Sequence, residues 1–531
     1  MTINDERLAI IPKPTTLEKA DGEFVFGLKT EFGENASEFK YLFDLNFNGD
    51  GGGRIKIVID DNFDKVANNT DLGEDDFVSD AYAYELTIGR DVTVRGTKAG
   101  AFYAMITLKQ LALLNFDGAV SKIPCCKIVD KPRFKHRGFM MDVARHFFPL
   151  SFLYKVVDAL SLYKFSVLHL HLSDDQGFRF GSEKFPKLVS IASKRRGTRK
   201  DGKPIEGFYT KSELKGLVKY ASERGIEIIP EIDMPGHTGA ILAAYPELSC
   251  TKTEREVREY FGISDNILCA GKSGVYDFVY GLLDEITEVF PSRLIHIGGD
   301  EALKDEWKKC PDCKRMMQVY NIGTFKELQS FFLNAVNVYL QKKGRQAVVW
   351  NEAVSSGKLK NVVCQYWLAG KDGKGAFAYS DGGGKLIVSK CSPFYLDYPH
   401  GMHSLKALYE FNPILDGLTT TAVKNVIGIE SPLWTEHVET ENDAFKKMFP
   451  RLFAVAEKGW SNSERNFKDF ERRAAANERV LKLLKIEGTT AKDATPPKAK
   501  GVIEAIKFGV RAFDKTAFKS FVNMLKIKND K

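Results

Sequence analysis

The chain has 531 residues, 44% hydrophobic and 28% charged, enough for a barrel-sized domain beside a smaller one and unlike disordered or fibrous proteins. Its formal charge of +7 is concentrated in residues 481–531, which hold 12 Lys and Arg against 5 Asp and Glu. The rest is close to neutral and lacks the basic stripe a folded nucleic-acid surface needs, so no nucleic-acid partner is expected.

The first residues, from Met1 to Arg7, have neither the basic start nor the apolar run of a leader, and no later stretch reaches membrane-spanning length. A cytoplasmic chain is therefore expected, with secreted, periplasmic or lysosomal placement as the alternative. Eight cysteines in this length do not make a disulfide scaffold. From Leu8 to about Cys126 the pattern is one of short alternating strands, as at 82–88 and 92–95. A helix is predicted over 99–114, where Phe102, Met105, Leu108, Leu111 and Leu114 recur at helical spacing. Residues 1–130 thus read as a small α+β domain whose role is packing.

Beyond Pro132 apolar strands alternate with long helical segments, the mark of parallel β/α units. Eight strands are predicted, at 139–141, 167–172, 227–231, 294–297, 347–350, 362–366, 386–388 and 426–429, with helices over 211–224, 275–290 and 324–343. A doubly wound sheet competes with a (β/α)8 TIM barrel. The polar residues Asp142, His171, Asp174, Glu231, Asp233, Asp300, Glu301, Trp350, Trp367 and Glu436 all fall at or just past strand ends, which in a barrel converge on one mouth. This favours a barrel catalytic domain over 131–480. Residues 481–531 read as a basic, partly helical tail reached through a Lys-, Pro- and Ala-rich linker at 491–500. A solvated appendage is preferred to a membrane-docking element.

The densest chemical signal is His296-Ile297-Gly298-Gly299-Asp300-Glu301 at the end of the fourth barrel strand. Two glycines let the backbone turn tightly and bring both acids to the mouth. Adjacent carboxylates repel, so the more buried acid tends to keep its proton while its neighbour stays ionised, a division of labour suited to glycosidic cleavage. The bland alternative is an acidic helix start. It loses ground because other motifs share this order along the chain: Arg137 to Phe147, His169 to Gly177, Glu231 to His237, Trp350-Asn351-Glu352, Tyr395-Leu396-Asp397 and Trp434-Thr435-Glu436.

Together these motifs resemble glycoside hydrolase family 20, the β-N-acetylhexosaminidases, over roughly residues 8 to 465. The resemblance implies a retaining exo-glycosidase that hydrolyses terminal β-linked N-acetylglucosamine or N-acetylgalactosamine. In it the substrate's acetamido oxygen is the nucleophile and an oxazolinium ion the intermediate. It implies Glu301 as proton donor and later base, Asp300 as the group that orients the acetamido and stabilises its positive charge, and Tyr395 as a hydrogen-bond donor to the acetamido oxygen. Trp350, Trp367 and Trp434 would wall the sugar. Arg145, Asp397 and Glu436 would read its hydroxyls, and Asp174 and His237 would support the acid and the ring. The expected partner is a glycan with a terminal N-acetylhexosamine; a homodimer is compatible with the chain.

No cofactor and no metal are expected. His146 reads as a satisfied structural histidine, and Asn351 stands where many members of the family carry Asp. Two other classes compete: a catalytically inactive carbohydrate-binding barrel, and a metal-dependent hydrolase using His169 and His171. The pair Cys310 and Cys313 supplies only half a tetrahedral metal site and reads as a local structural feature.

Overall fold

The computed structural model describes residues 5–43, 45–63, 82–197 and 203–512. The triplet Asn68-Asn69-Thr70, a match to the glycosylation pattern, and the tail from residue 513 on lie outside the described residues.

The N-terminal unit is a mixed six-stranded sheet: β1 (Thr16–Phe26), β2 (Glu31–Phe32), β3 (Arg54–Ile59), β4 (Tyr84–Ile88), β5 (Val92–Gly96) and β6 (Ser121–Asp130), in the order β1-β6-β4-β5-β3-β2. In β5 Val92, Val94 and Gly96 are buried while Thr93 and Arg95 are exposed, the two-residue period of a sheet with one solvated face. Helix α1 (Lys98–Leu114) covers the other face, its first turn capped by the Thr97 side chain accepting from the Gly100 N–H. The expected amphipathic stripe is widened. Tyr103, Gln110 and Leu113 are buried too, because α1 lies between its own sheet and the second unit.

A buried polar joint crosses that seam. The Asp130 carboxylate accepts from Lys164 Nζ at 2.8 Å, Tyr84 Oη at 2.9 Å and Trp460 Nε1 at 2.9 Å. Charge paired and hydrogen-bonded in this way offsets the cost of burying it, and removing one partner would leave that cost exposed.

The second unit is a closed barrel of eight parallel strands in chain order: β7 (His136–Asp142), β8 (Val167–His171), β9 (Glu227–Glu231), β10 (Leu294–His296), β11 (Gln346–Trp350), β12 (Val363–Tyr366), β13 (Lys385–Val388) and β14 (Val426–Leu433). All eight predicted strands are present. Around them run α2 (Leu150–Leu162), α3 (Lys211–Ser222), α4 (Ser273–Val289), α5 (Phe325–Lys342), α6 (Gly370–Asp381) and α7 (Arg451–Trp460). Thr210 and Glu213 form a reciprocal capping box on α3. Between β11 and β12 there is only a 3-10 turn over Ala353–Ser356. Register aligns the carboxyl ends that matter: Asp142 and Glu231 both pair with His171, and Glu231 also pairs with His296.

The expected linker is a correction. Ala491 and Ala494 are buried in the barrel's hydrophobic core, and the Ala494 carbonyl accepts from the Leu405 N–H, because small side chains fit that seam. The expected domain boundary near 480 also falls inside one helix, α8 (Phe467–Leu483). The tail is not a free appendage where it is described: in α9 (Lys498–Ala512) Glu504 accepts from the Gly401 N–H and Phe508 packs on Tyr398 and His437. Among the described residues no helix is long and apolar enough to cross a membrane.

Candidate active site

The site grows from the floor of the barrel mouth. Strand alternation points His169 and His171 the same way, into the barrel. Glu231, at the end of β9, gathers His171 Nδ1, His296 Nδ1 at 2.8 Å and Trp350 Nε1 at 2.9 Å, with His169 Nε2 at 3.2 Å. Burial pushes this carboxyl up, but the charges of His296 and His171 outweigh it and hold Glu231 well below the usual range. One layer deeper, Glu430 takes His169 Nδ1 at 2.8 Å, His136 Nε2 at 2.9 Å and Gln365 Nε2 at 2.7 Å. His169 and His171 are thus held between carboxylates.

Above this floor sits a chain of charges. Arg145 Nη2 lies 2.7 Å from Asp174, which also takes His171 Nε2 at 2.8 Å and His237 Nδ1 at 3.2 Å. The far nitrogen of His237 is 3.7 Å from Asp300 and 3.5 Å from Glu301. Burial pushes Asp174 up, yet Arg145 and His237 overcome it and keep the group well below the carboxylate norm. His237 is lowered by burial but raised more by Asp174 and Asp300, well above the imidazole norm. Both ends of the final link are strained: His237 has φ +52° and Glu301 φ +44°, conformations non-glycine residues adopt only where surroundings impose them.

The Gly298-Gly299 pair has a geometric cause. Both have positive φ, +66° and +97°, and a Cβ on Gly298 would overlap the Asp233 carboxylate. Asp233 Oδ1 accepts from the Gly299 N–H at 3.2 Å, and Glu352 accepts from the Glu301 N–H at 3.3 Å. Asp300 is the deeper acid: its side chain is 10% exposed against 27% for Glu301. Burial raises Asp300 to about 6, with His237 opposing and the Glu301 charge adding. Asp233 beside it is also raised, by burial and by the charge of Asp300.

The aromatic residues form a continuous wall. Trp350 is fully buried, with Trp434 at 5.9 Å between ring centres; Tyr395 lies 6.2 Å from Trp434 and stacks on Trp367 at 6.2 Å. Arg145 lies over the Trp434 ring at 4.8 Å, and its Nη2 is 3.9 Å from Glu436. Burial, aided by the Glu436 charge, pushes Asp397 up to about 7. Asn351 holds the wall in place: its Oδ1 accepts from the N–H groups of Trp367 and Leu368, and its Nδ2 donates to the Leu368 carbonyl at 2.9 Å. His146 donates from its main-chain N–H to Thr435 Oγ1 and pairs Nδ1 with the Thr435 carbonyl, the structural role expected of it.

The structure therefore gathers Arg145, Asp174, His237, Asp300 and Glu301 into one chain of charges, with Trp350, Trp367, Tyr395 and Trp434 as a wall and Glu436 and Asp397 at its edge. Among the described residues, Asp300 Oδ1, Asp397 Oδ1 and Trp367 Nε1 are buried and find no hydrogen-bond partner. Such atoms cost roughly 1–3 kcal/mol each when left dry, so a site that keeps several is arranged for a polar ligand. Sequence reasoning gave no role to Glu231, Asp233 or Glu352. Only the pairing of β8 with β9 sets Glu231 against both His169 and His171.

A family model described as glycosyl hydrolase family 20, catalytic domain, matches residues 134–463, and one for domain 2 of the same family matches residues 7–131. A β-hexosaminidase of Porphyromonas gingivalis is 33% identical over 491 residues, covering 88% of this chain. The chain spans 62% of that relative's length. A β-hexosaminidase of Akkermansia muciniphila is 35% identical over 415 residues, covering 76% of this chain and 84% of its own. The solved exo-β-N-acetylglucosaminidase of Vibrio harveyi, in complex with N-acetylglucosamine, superposes with a TM-score of 0.78 at 26% identity, covering 91% of this chain and 79% of that one.

Proposed function

The chain belongs to glycosyl hydrolase family 20, the β-N-acetylhexosaminidase glycoside hydrolases, and on that premise we propose that it releases terminal β-linked N-acetylglucosamine or N-acetylgalactosamine with retention, using the substrate's own acetamido group as nucleophile. The acetamido oxygen attacks the anomeric carbon as the glycosidic bond breaks, and Glu301 gives its proton to the departing oxygen. The product of this step is a cyclic oxazolinium ion. Glu301, now a carboxylate, takes a proton from water as that water opens the ring from the opposite side, so two inversions leave the anomer unchanged.

Asp300 accepts from the acetamido N–H and faces the positive charge as it forms, while Tyr395 donates to the acetamido oxygen. The wall of Trp350, Trp367 and Trp434 suits the apolar face of a pyranose and the acetamido methyl. Arg145, Glu436 and Asp397 give charge-assisted hydrogen bonds to ring hydroxyls, the kind that discriminates against a misplaced one. Asp174 and His237 link the hydroxyl-reading arginine to the acid pair.

The observation that carries this reading is the strained turn that brings Asp300 and Glu301 to 3.7 and 3.5 Å from one histidine, with Asp300 Oδ1, Asp397 Oδ1 and Trp367 Nε1 buried and finding no hydrogen-bond partner among the described residues. The test is a panel of aryl β-glycosides with N-acetylglucosamine, N-acetylgalactosamine, glucosamine and glucose, with the first-formed anomer read by NMR. Hydrolysis restricted to the N-acetylated sugars, giving the β-anomer first, is expected. Equal rates on glucose, inverted product, or sugar binding without turnover would overturn it.

A further inference from the structure

Away from the barrel mouth, four cysteines from three separate stretches of chain converge on one point. Cys250 follows the 3-10 turn Pro246–Leu248, and Cys269 lies just before α4; both belong to the long loop after β9 that also carries His237. Cys310 and Cys313 open the helix Pro311–Val319 in the loop after β10, nine residues past Glu301. All are unpaired thiols, and Cys269, Cys310 and Cys313 are buried. The sulfurs of Cys269 and Cys313 are 3.6 Å apart, those of Cys269 and Cys310 3.7 Å, and those of Cys250 and Cys313 3.8 Å, with all four within 4.8 Å of one another.

These separations have a specific meaning. A disulfide brings two sulfurs to about 2.05 Å, whereas four thiolates around one Zn2+ at about 2.3 Å form a tetrahedron with edges of about 3.8 Å. The surroundings agree. The Gly271 N–H donates to the Cys269 sulfur, as backbone amides do to metal-bound thiolates, and Gly271 packs so closely on the Asp312-Cys313 peptide that a Cβ would collide with it. Trp307 Nε1 donates to the Leu268 carbonyl at 2.9 Å, seating the two loops on one another.

We propose that Cys250, Cys269, Cys310 and Cys313 bind one structural Zn2+, a closed four-thiolate site that pins the loop carrying Asp300 and Glu301 to the loop carrying His237. On binding, the four thiols give up their protons and each sulfur donates a lone pair to the ion; nothing is oxidised. With four protein ligands no position is left for water or substrate, so the ion sets loop geometry and takes no part in catalysis. This replaces the expectation of no metal: Cys310 and Cys313 are half a site, and the fold delivers the other half from 41 and more residues upstream in the sequence.

The full-length protein, produced with zinc available and dialysed against a chelator, should retain one zinc per chain by elemental analysis. It should release that zinc on titration with a mercurial. Protein loaded with Co2+ instead should show the strong thiolate charge-transfer and tetrahedral ligand-field absorption of a four-sulfur site. Cys269→Ser and Cys310→Ser should each reduce bound zinc to background, while Cys364→Ser, a buried cysteine outside the cluster, should keep it. Wild-type protein that carries no zinc and takes up neither Zn2+ nor Co2+ would overturn the proposal. So would disulfides among these four cysteines in the unreduced chain, or zinc that persists at one per chain in both cluster variants.

Discussion

Replacing Asp174 by Asn changes one atom and removes one charge at the centre of the relay. The carboxylate offers one oxygen to Arg145 Nη2 and His171 Nε2 and the other to His237 Nδ1 and the Asp175 N–H. An amide has one oxygen, so whichever way it turns, its NH2 faces two donors. Breaking a buried, hydrogen-bonded ion pair costs about 3–5 kcal/mol. Arg145 keeps Asp142 at 3.3 Å and Glu436 at 3.9 Å, which places Asp174→Asn at the lower end, about 3 kcal/mol. Spread over a barrel unit of about 330 residues unfolding with about 2 cal/mol/K per residue, that is a fall in Tm of about 4 °C. The sign with pH is fixed: the folded-state pKa is depressed, so the loss is full above about pH 4 and shrinks as pH falls below it.

Activity falls by a second route. Without Asp174 the imidazolium of His237 loses its main support, and a charge at about 4 Å from each acid is worth about 4 kcal/mol at an effective dielectric of 20. If a neutral imidazole retains half of that by hydrogen bonding, kcat/KM drops about 30-fold. Calorimetry and steady-state kinetics on an aryl N-acetylglucosaminide measure both. An Asp174→Asn protein within 1 °C and twofold of wild type would refute the reasoning.

Glu301→Gln should cut kcat by about 1,000-fold on disaccharides, whose leaving group needs a proton, and by much less on nitrophenyl glycosides at the first step; equal losses on both would remove Glu301 as donor. With Asp300 raised to about 6 and proposed to act as the carboxylate, kcat/KM should fall tenfold per pH unit below about 6, and a flat profile down to pH 4 would contradict that role. Asn351→Asp would set a carboxylate oxygen against the Leu368 carbonyl where Nδ2 now donates, costing about 1–3 kcal/mol; KM should rise with loosening of the Trp367 strand end, and an unchanged KM and Tm would refute this.

The barrel strands were legible because each is short and centred on buried residues with an apolar run, as at Val348 and Val349 in β11 and Leu386 to Val388 in β13. The acid pair was legible because two glycines precede it, and the structure supplies the cause in the Asp233 carboxylate that fills the space of a Gly298 side chain. What composition could not reveal are contacts set by distant chain. The stretch around Ala491 and Ala494 reads as a linker because small residues suit linkers and tight seams equally, and only the approach of Leu405 decides between them. Helix α1 reads as one-sided because its second face is buried by α2 and α8. Cys250 and Cys269, isolated in sequence, acquire meaning only where two barrel loops meet.

The order of burial in the acid pair runs against the proposed roles. If the more buried acid kept its proton to donate it, Asp300 would be the donor and Glu301 the anion. Burial, however, penalises a carboxylate only while no cation faces it. Burial raises Asp300 to about 6 in the substrate-free site; in the proposed reaction an oxazolinium would bring a positive charge against it and make its ionised form the favoured one as the barrier is climbed. Burial and the charge of Asp300 raise Asp233 well above the carboxylate norm, which would lessen the opposition of a third carboxylate to that ionisation. Glu301 is the less buried of the two, with its side chain 27% exposed against 10% for Asp300, as suits the group proposed to meet the departing oxygen and then water. On the proposed mechanism Asp300 would thus be tuned by what the substrate brings, because the low dielectric around it strengthens its attraction for a charge that forms only during the reaction.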